Sequence, residues 1–227
     1  MGSHPMSWAR IDDAGEERIR AESIAKYRRR AAGYDRTCGP TWPIRERAIA
    51  ALRLSPGMRV LDVGCGTGLS LALLREGVGD SGHVYGVDQS PEMTARALAR
   101  VRERGWRNVS VIQACAQEVR LPRQLDALLF HYTHDILRSP TAMRNLLSMA
   151  RPGARVAIAG VKYFPAWLAP LNVWVYFKNA AYNGAPRGLR RPWEIAAGFL
   201  AEVSVAPTQF GMGYLAVGKV PVGAKRE

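Results

Sequence analysis

Apolar positions follow two different periods along the chain. Short, nearly continuous apolar runs bounded by Gly, Pro, Asn or Asp predict buried strands, and longer stretches with apolar residues every three to four positions predict helices. The two patterns alternate, which predicts an α/β fold with a mostly parallel sheet covered by helices on both faces. The predicted strands are 58–64, 83–88, 109–114, 125–132, 155–160, 202–207 and 213–220.

The predicted helices fall before and between these strands, at 12–32, 44–52, 69–75, 90–104, 141–150 and 192–201. Ser90 and Pro91 supply a cap and a first-turn proline for the fourth of them. The segment "CGPTWP" at 38–43 is expected to interrupt the N-terminal helices because of its prolines and glycine. A glycine-rich link joins the last two strands and predicts an antiparallel pair.

Chain length predicts a single domain, because 227 residues suit one full core and are short for two. We expect this domain over 6–227, with an N-terminal helical cap at 12–52 and an aromatic-rich insertion at 161–191. Residues 1–5, "MGSHP", resemble a cloning remnant. No long apolar run or signal pattern is visible, and three cysteines without metal spacing predict a cytoplasmic protein with no metal site.

The net charge of +13 raises the question of an acidic partner. The basic residues are spread along the chain and form only short clusters at 28–30 and 187–191, so charge alone disfavours nucleic acid. An anionic small molecule or an acidic surface stays open.

Candidate chemistry begins with "VLDVGCGTG" at 60–68, where Gly64, Gly66 and Gly68 stand between a predicted strand and a predicted helix. Such a turn lets the backbone approach a ligand and directs a helix N-terminus at it. The spacing departs from the dinucleotide signature, whose third glycine position is Leu69 here. Asp88 ends the next strand, where an acidic residue can accept both hydroxyls of a ribose.

These residues resemble those of class I S-adenosylmethionine-dependent methyltransferases. "VLDVGCGTG" is similar to the first motif of the family, "VYGVDQSPEM" at 84–93 to the second, and "ARPGARV" to the turn before strand five. "YRRRAAGYD" at 27–35 resembles an N-terminal element of the branch that includes ubiquinone/menaquinone-biosynthesis and phospholipid N-methyltransferases. The resemblance implies a Rossmann-like methyltransferase fold and S-adenosyl-L-methionine as the cofactor.

The resemblance also implies a role for each matching residue. Asp62 and the turn 64–68 would hold the methionyl end, Asp88 the ribose, and Gln89 or Met93 would flank the adenine. Cys115 and Ala116 replace the usual acidic contact to the adenine amine, with the Ala116 amide or Gln117 as substitutes. The complete set is Tyr27, Asp62, Gly64, Cys65, Gly66, Gly68, Asp88, Gln89, Met93, Cys115, Ala116 and His131. Cys65 is interpreted as a small buried residue rather than a nucleophile.

Candidate catalytic residues follow strand four in "FHYTHD" at 130–135. His131 or His134 is predicted to act as a general base for a hydroxyl nucleophile; the alternative is packing beside the cofactor or hydrogen bonding to a loop. Tyr34, with Tyr27, closes the pocket from the N-terminal side or packs in the core. Positioning and exclusion of water do much of the work in an in-line methyl transfer.

The insertion 161–191 is rich in aromatic residues and has basic flanks. Three interpretations stay open: a lid over a flat apolar substrate, a homodimer interface, or a membrane-surface patch. Together with this insertion, the resemblance implies methyl transfer to an O or N of an apolar, aromatic small-molecule acceptor. The alternative is a phospholipid-amine N-methyltransferase at a membrane surface.

Overall fold

The computed structural model describes residues 35, 38–122, 124–164, 168, 171–173 and 189–223. The predicted helix 12–32, Tyr27, Tyr34 and most of the insertion 161–191 lie outside the described residues. The proposed division into cap, domain and insertion therefore stays a prediction.

Seven strands form one sheet in the order β3-β2-β1-β4-β5-β7-β6. Strand β7 runs antiparallel to both of its neighbours, and the other described pairings are parallel. The predicted seven-stranded, mostly parallel sheet with one antiparallel strand is confirmed. The strands are β1 (Arg59–Val63), β2 (His83–Asp88), β3 (Val109–Gln113), β4 (Leu125–His131), β5 (Ala150–Val161), β6 (Ala201–Thr208) and β7 (Gly213–Lys219).

Helices cover both faces of this sheet. They are α1 (Trp42–Ala51), α2 (Leu71–Val78), α3 (Pro91–Glu103), α4 (His134–Leu137), α5 (Pro140–Ser148) and α6 (Glu194–Ala197). Successive strand residues point to opposite faces, so Val60 packs in one apolar cluster with α1, α2 and α3 while Leu61 packs in the other with α5. The sheet is the layer between two cores.

The order of the strands positions the site. Val63 pairs with Val87 on one side and with Phe130 on the other, so β1, β2 and β4 end at the same edge. We call this the carboxyl edge of the sheet. The glycine turn, Asp88 and His131 therefore come together, as expected for an open parallel sheet that binds ligands beyond its strand ends.

Several element boundaries differ from the predicted ones. Helix α1 begins at Trp42 rather than 44, because Pro43 occupies a first-turn position that needs no backbone donor. Helix α2 continues to Val78, whose side chain is buried, and ends at Gly79 with φ +62°. Helix α6 has four residues instead of ten.

Strand β5 shows the largest boundary difference, and one short helix was not predicted at all. The sequence "RPGA", predicted as the turn before the fifth strand, lies inside β5. The β4–β5 register shifts there, between Leu125 and Ala127, and Gly153 adopts φ +78°. Helix α4 has only four residues, too few to show a helical period.

Candidate functional site

The glycine turn after β1 requires glycine for conformational and steric reasons. Gly64, Gly66 and Gly68 have φ angles of +65°, +55° and +82°, which disfavour residues with a Cβ atom. A Cβ on Gly64 would lie 2.5 Å from Cγ2 of Thr133, and one on Gly68 would lie 2.8 Å from Cδ1 of Leu71. The side chains of Thr133 and Leu71 therefore pack closely against the turn and leave no room for a Cβ atom at Gly64 or Gly68.

Cys65 lies within this turn and is buried. Its amide donates to the carbonyl of Val87 at 3.0 Å, and its Sγ would lie 3.0 Å from a Cβ on Gly86. Burial raises the pKa of the Cys65 thiol, with Asp62 and Asp88 adding to the effect. These contacts agree with a small packing residue that is not a thiolate nucleophile.

Asp88 connects the two sequence motifs. One carboxylate oxygen accepts the amide of Gly66 at 2.9 Å, and the other accepts the amide of Ser90 at 2.8 Å. Burial raises the pKa of Asp88, and these amides together with that of Gln89 oppose the rise. A carboxylate has about four lone-pair sites, so it keeps room beyond these amides for a further donor, and the predicted contact to ribose hydroxyls stays a prediction.

Asp62 and Arg45 are both buried, and each forms a hydrogen bond with the side chain of Ser70. Asp62 is 1% exposed, and burial raises its pKa to about 7 against the opposing charge of Arg45. Arg45 lies on α1 among the apolar residues of its buried face, and its Nη1 donates to Oγ of Ser70. Sequence reasoning missed Arg45, although a single arginine at a helical core position is a signal that could have found it.

His131 ends β4 at the carboxyl edge. Its side chain is buried, and Nε2 has no hydrogen-bond partner among the described residues. Burial lowers the pKa of His131 well below its usual value, and the charges of Arg45 and His134 add to the effect. The imidazole is therefore neutral at physiological pH and keeps one nitrogen as an acceptor.

His134 has a different environment. Its Nε2 lies 3.0 Å from the carbonyl oxygen of Val161, so this nitrogen carries the proton and donates it. A Cβ on Gly160 would lie 2.7 Å from Nε2, which shows how closely the ring packs on β5. Burial lowers the pKa of His134 to about 4. This is the hydrogen-bonded alternative considered for His134, and its role as a general base stays a prediction without geometric support.

The residues predicted to flank the adenine lie beyond β2 and β3. Cys115 and Ala116 are both buried; Cys115 Sγ donates to Oε1 of Gln117 at 2.6 Å, and Asn145 Nδ2 donates to the carbonyl of Ala116 at 3.0 Å. Met93 is fully buried. Gln89, between Asp88 and Ser90, is half-buried. The adenine contacts stay predictions.

A turn between β6 and β7 was not predicted as part of the site. Gln209 and Phe210 adopt φ angles of +47° and +55°, which are uncommon without glycine. Gln209 Oε1 accepts from the Tyr132 hydroxyl at 3.4 Å, and its Nε2 donates to the carbonyl of Pro40 at 3.4 Å. Phe210 is fully exposed, and Phe164 lies 3.6 Å from a Cβ on Gly211. We call Tyr132, Phe164 and Phe210 the aromatic rim.

Unpaired buried atoms indicate that a polar ligand fits here. Among the described residues, Asp62 Oδ2, Arg45 Nε, His131 Nε2 and Thr133 Oγ1 are buried without a hydrogen-bond partner. Leaving such atoms unpaired is costly. A methionyl group carries an ammonium and a carboxylate, which complement Asp62 and Arg45, and the residues present therefore fit S-adenosyl-L-methionine.

Within the described ranges, no three His, Cys, Asp or Glu side chains come together in a way that could hold a metal ion. No helix in the same part of the chain is both long and apolar enough to cross a membrane.

The fold is that of the class I S-adenosylmethionine-dependent methyltransferases. The chain belongs to the family described as "Methyltransferase domain", whose model matches residues 54–186. The resemblance in the sequence motifs is thereby confirmed, and with it the cofactor, S-adenosyl-L-methionine.

Individual relatives match shorter parts of the chain. An aklanonic acid methyltransferase of Streptomyces sp. is 36% identical over 40% of this chain and 42% of its own length. A demethylmenaquinone methyltransferase of Anoxybacillus flavithermus is 29% identical over 49% of this chain and 48% of its own. A protein-L-isoaspartate O-methyltransferase of Ignicoccus hospitalis is 41% identical over 28% and 30%. The chain thus spans less than half the length of these curated relatives.

Solved structures share the fold over most of the chain. The N-methyltransferase NodS of Bradyrhizobium japonicum, in complex with S-adenosyl-L-homocysteine, superposes with a TM-score of 0.65 at 18% identity. The match covers 88% of this chain and 99% of NodS. At this identity the comparison supports the fold only.

Proposed function

We propose that this chain transfers a methyl group from S-adenosyl-L-methionine to an O or N of an apolar, aromatic small molecule. The observation that carries the proposal is His131: a buried, neutral imidazole with an unpaired Nε2 at the end of β4. Phe130, the residue before it, pairs with Val63, the residue before the glycine turn, and Tyr132 of the aromatic rim follows His131 directly. A proton acceptor thus stands between a cofactor site and an apolar surface.

Each part of the site has a distinct task in this reaction. When bound, the cofactor supplies an electrophilic methyl group. Asp62 and Arg45 hold its charged end, Asp88 accepts from its ribose, and the glycine turn fixes its position. Orientation and removal of water lower the barrier to an in-line displacement. His131 takes the proton of the attacking acceptor atom.

The environment of His131 limits the kinds of acceptor group that it can deprotonate. Its pKa lies well below the usual value, and an imidazole of low basicity removes a proton efficiently only from an acidic group. A phenol-like hydroxyl suits it better than an aliphatic alcohol. The aromatic rim adds a flat apolar surface for a ring.

Two of the relatives support a small-molecule acceptor by their names, an aklanonic acid and a demethylmenaquinone methyltransferase. The isoaspartate enzyme is named for a protein acceptor. The acceptors to be tested therefore include isoaspartyl peptides. No observation on the described residues favours the phospholipid-amine alternative. A homodimer or a membrane contact through 161–191, and a cytoplasmic location, stay predictions.

The proposal is tested by methyl transfer from radiolabelled S-adenosyl-L-methionine to a panel of acceptors. The panel contains phenols, quinols, aryl amines, isoaspartyl peptides and phosphatidylethanolamine vesicles. We expect label in a phenol or aryl amine, and we expect His131→Asn to lose about a hundredfold in kcat while still binding S-adenosyl-L-homocysteine. Transfer only to the peptide or to the vesicles contradicts the proposal.

Cofactor affinity is expected to rise about tenfold between pH 6 and pH 8. The pKa of Asp62 is about 7, so its ionised fraction rises from about one tenth to about nine tenths over this range. Only the ionised carboxylate pairs with the methionyl ammonium, and binding therefore releases a proton near pH 6.5. Calorimetric titration with S-adenosyl-L-homocysteine in buffers of different ionisation enthalpy measures this release.

Two variants make the pH experiment specific. Asp62→Asn is expected to bind weakly at pH 8 and to lose the pH dependence. Asp126→Asn removes a carboxylate at the start of β4, at the opposite edge of the sheet. This variant is expected to keep the pH dependence of cofactor affinity. A wild-type affinity that does not change with pH, without proton release, contradicts the role of Asp62.

A further inference from the structure

We propose that Asp35 is a positioning residue that holds the cofactor-binding glycine turn in its binding conformation through Thr67 and Arg100. The inference rests on the proposed function only in requiring that the turn binds the cofactor. Asp35 acts through Thr67, whose side chain lies in the middle of the turn.

Three residues from separate parts of the chain form a closed network. One oxygen of Asp35 accepts the hydroxyl of Thr67 at 2.6 Å, and the other accepts Nη2 of Arg100 at 2.8 Å. Arg100 then returns to the turn, because its Nε donates to the carbonyl of Thr67 at 3.1 Å. The hydroxyl and the carbonyl of Thr67 are both held.

The turn has particular need of such support. Thr67 stands between Gly66 and Gly68, and glycine loses more conformational freedom on ordering than any other residue. Thr67 is 1% exposed, so its side chain has a fixed place. On the other side of the turn, Asp88 holds the amide of Gly66. The peptide groups around Gly66 and Thr67 are therefore fixed from two directions.

Preorganisation of this kind affects binding more than global stability. The Asp35–Arg100 pair is partly exposed, with side chains 42% and 31% accessible, and exposed ion pairs contribute little to folding. A binding loop that is already ordered avoids the entropy cost of ordering on association. The signature is therefore a weaker affinity for the cofactor at an almost unchanged melting temperature.

The test measures binding of S-adenosyl-L-homocysteine by calorimetry to Asp35→Ala, to Thr67→Val, which replaces the hydroxyl by a methyl, and to the double variant. We expect each single variant to bind about tenfold more weakly. The double variant is expected to bind no more weakly than Asp35→Ala, because Asp35→Ala already removes the hydrogen bond that Thr67→Val removes. In turnover with a methyl acceptor, KM for the cofactor rises and kcat is kept.

Matched controls separate the alternatives. Asp80→Ala removes the partner of Arg75 in another exposed ion pair and is expected to leave affinity unchanged. Asp35→Asn keeps the shape of the side chain and serves if Asp35→Ala does not fold. Wild-type affinity in the Asp35 variants overturns the inference, and so do additive losses in the double variant. Absence of binding by the wild-type protein itself overturns the proposed function as well, which distinguishes the two failures.

Discussion

Asp88→Ala is expected to weaken the binding of S-adenosyl-L-homocysteine about a hundredfold. The carboxylate is predicted to accept both ribose hydroxyls, and two charge-assisted hydrogen bonds correspond to about 2–4 kcal/mol. The same carboxylate accepts the amides of Gly66 and Ser90, so its removal also releases the glycine turn. Calorimetric titration at pH 8 measures the change in affinity.

A graded series separates the two contributions of Asp88. Asp88→Asn keeps one oxygen acceptor without the charge and is expected to bind with intermediate affinity. Asp80→Asn removes an exposed carboxylate that precedes β2, at the opposite edge of the sheet, and should bind like the wild type. Unchanged affinity in Asp88→Ala would show that the ribose is held elsewhere, because the loss expected from the two hydroxyls would be absent.

The sequence predicted the parts of the site whose chemistry is local. A glycine turn between a strand and a helix has a recognisable composition, since Gly64, Gly66 and Gly68 occupy left-handed conformations that other residues avoid. Asp88 was found because it ends an apolar strand at a fixed distance from that turn. Parallel strands end at one edge, so the contact between the two motifs followed from the fold class.

Tertiary contacts explain what sequence reasoning missed. Arg45 becomes a site residue only because α1 packs its buried face against the sheet beside Ser70 and Asp62. The turn at 209–211 has two left-handed residues, Gln209 and Phe210, and neither belongs to the residue types that favour this conformation. Its contact with Tyr132 depends on β7 being inserted between β5 and β6.

The two histidines show the same limit on a smaller scale. His131 and His134 lie three positions apart and were equivalent candidates in the sequence. The chain changes from strand to helix between them, with Tyr132 at φ +62°. His131 therefore keeps the orientation of β4, whereas His134 begins α4 and reaches across to Val161 on β5. Nε2 of His131 is left unpaired. Nε2 of His134 donates to the backbone carbonyl of Val161.

Gly64→Ala is expected to abolish measurable cofactor binding and to lower the melting temperature. The new Cβ would lie 2.5 Å from Cγ2 of Thr133, and the φ angle of +65° is strained for any residue with a Cβ. Strain at one such residue costs about 1–3 kcal/mol, and the clash adds to it. Thermal unfolding and calorimetric titration measure the two effects.

A second substitution distinguishes the clash from the strain. Thr133→Ser removes Cγ2 and keeps the hydroxyl, so the Gly64→Ala/Thr133→Ser double variant is expected to recover part of the lost stability and binding. Gly105→Ala measures the cost of backbone strain without a clash, because Gly105 has φ +64° and a Cβ there would meet no described atom within 4 Å. A double variant as unstable as Gly64→Ala alone would mean that backbone strain, and not the Thr133 methyl group, excludes a side chain from the turn. If the loss of stability in the double variant is only as large as that in Gly105→Ala, the packing of Thr133 against Gly64 sets the shape of the cofactor site.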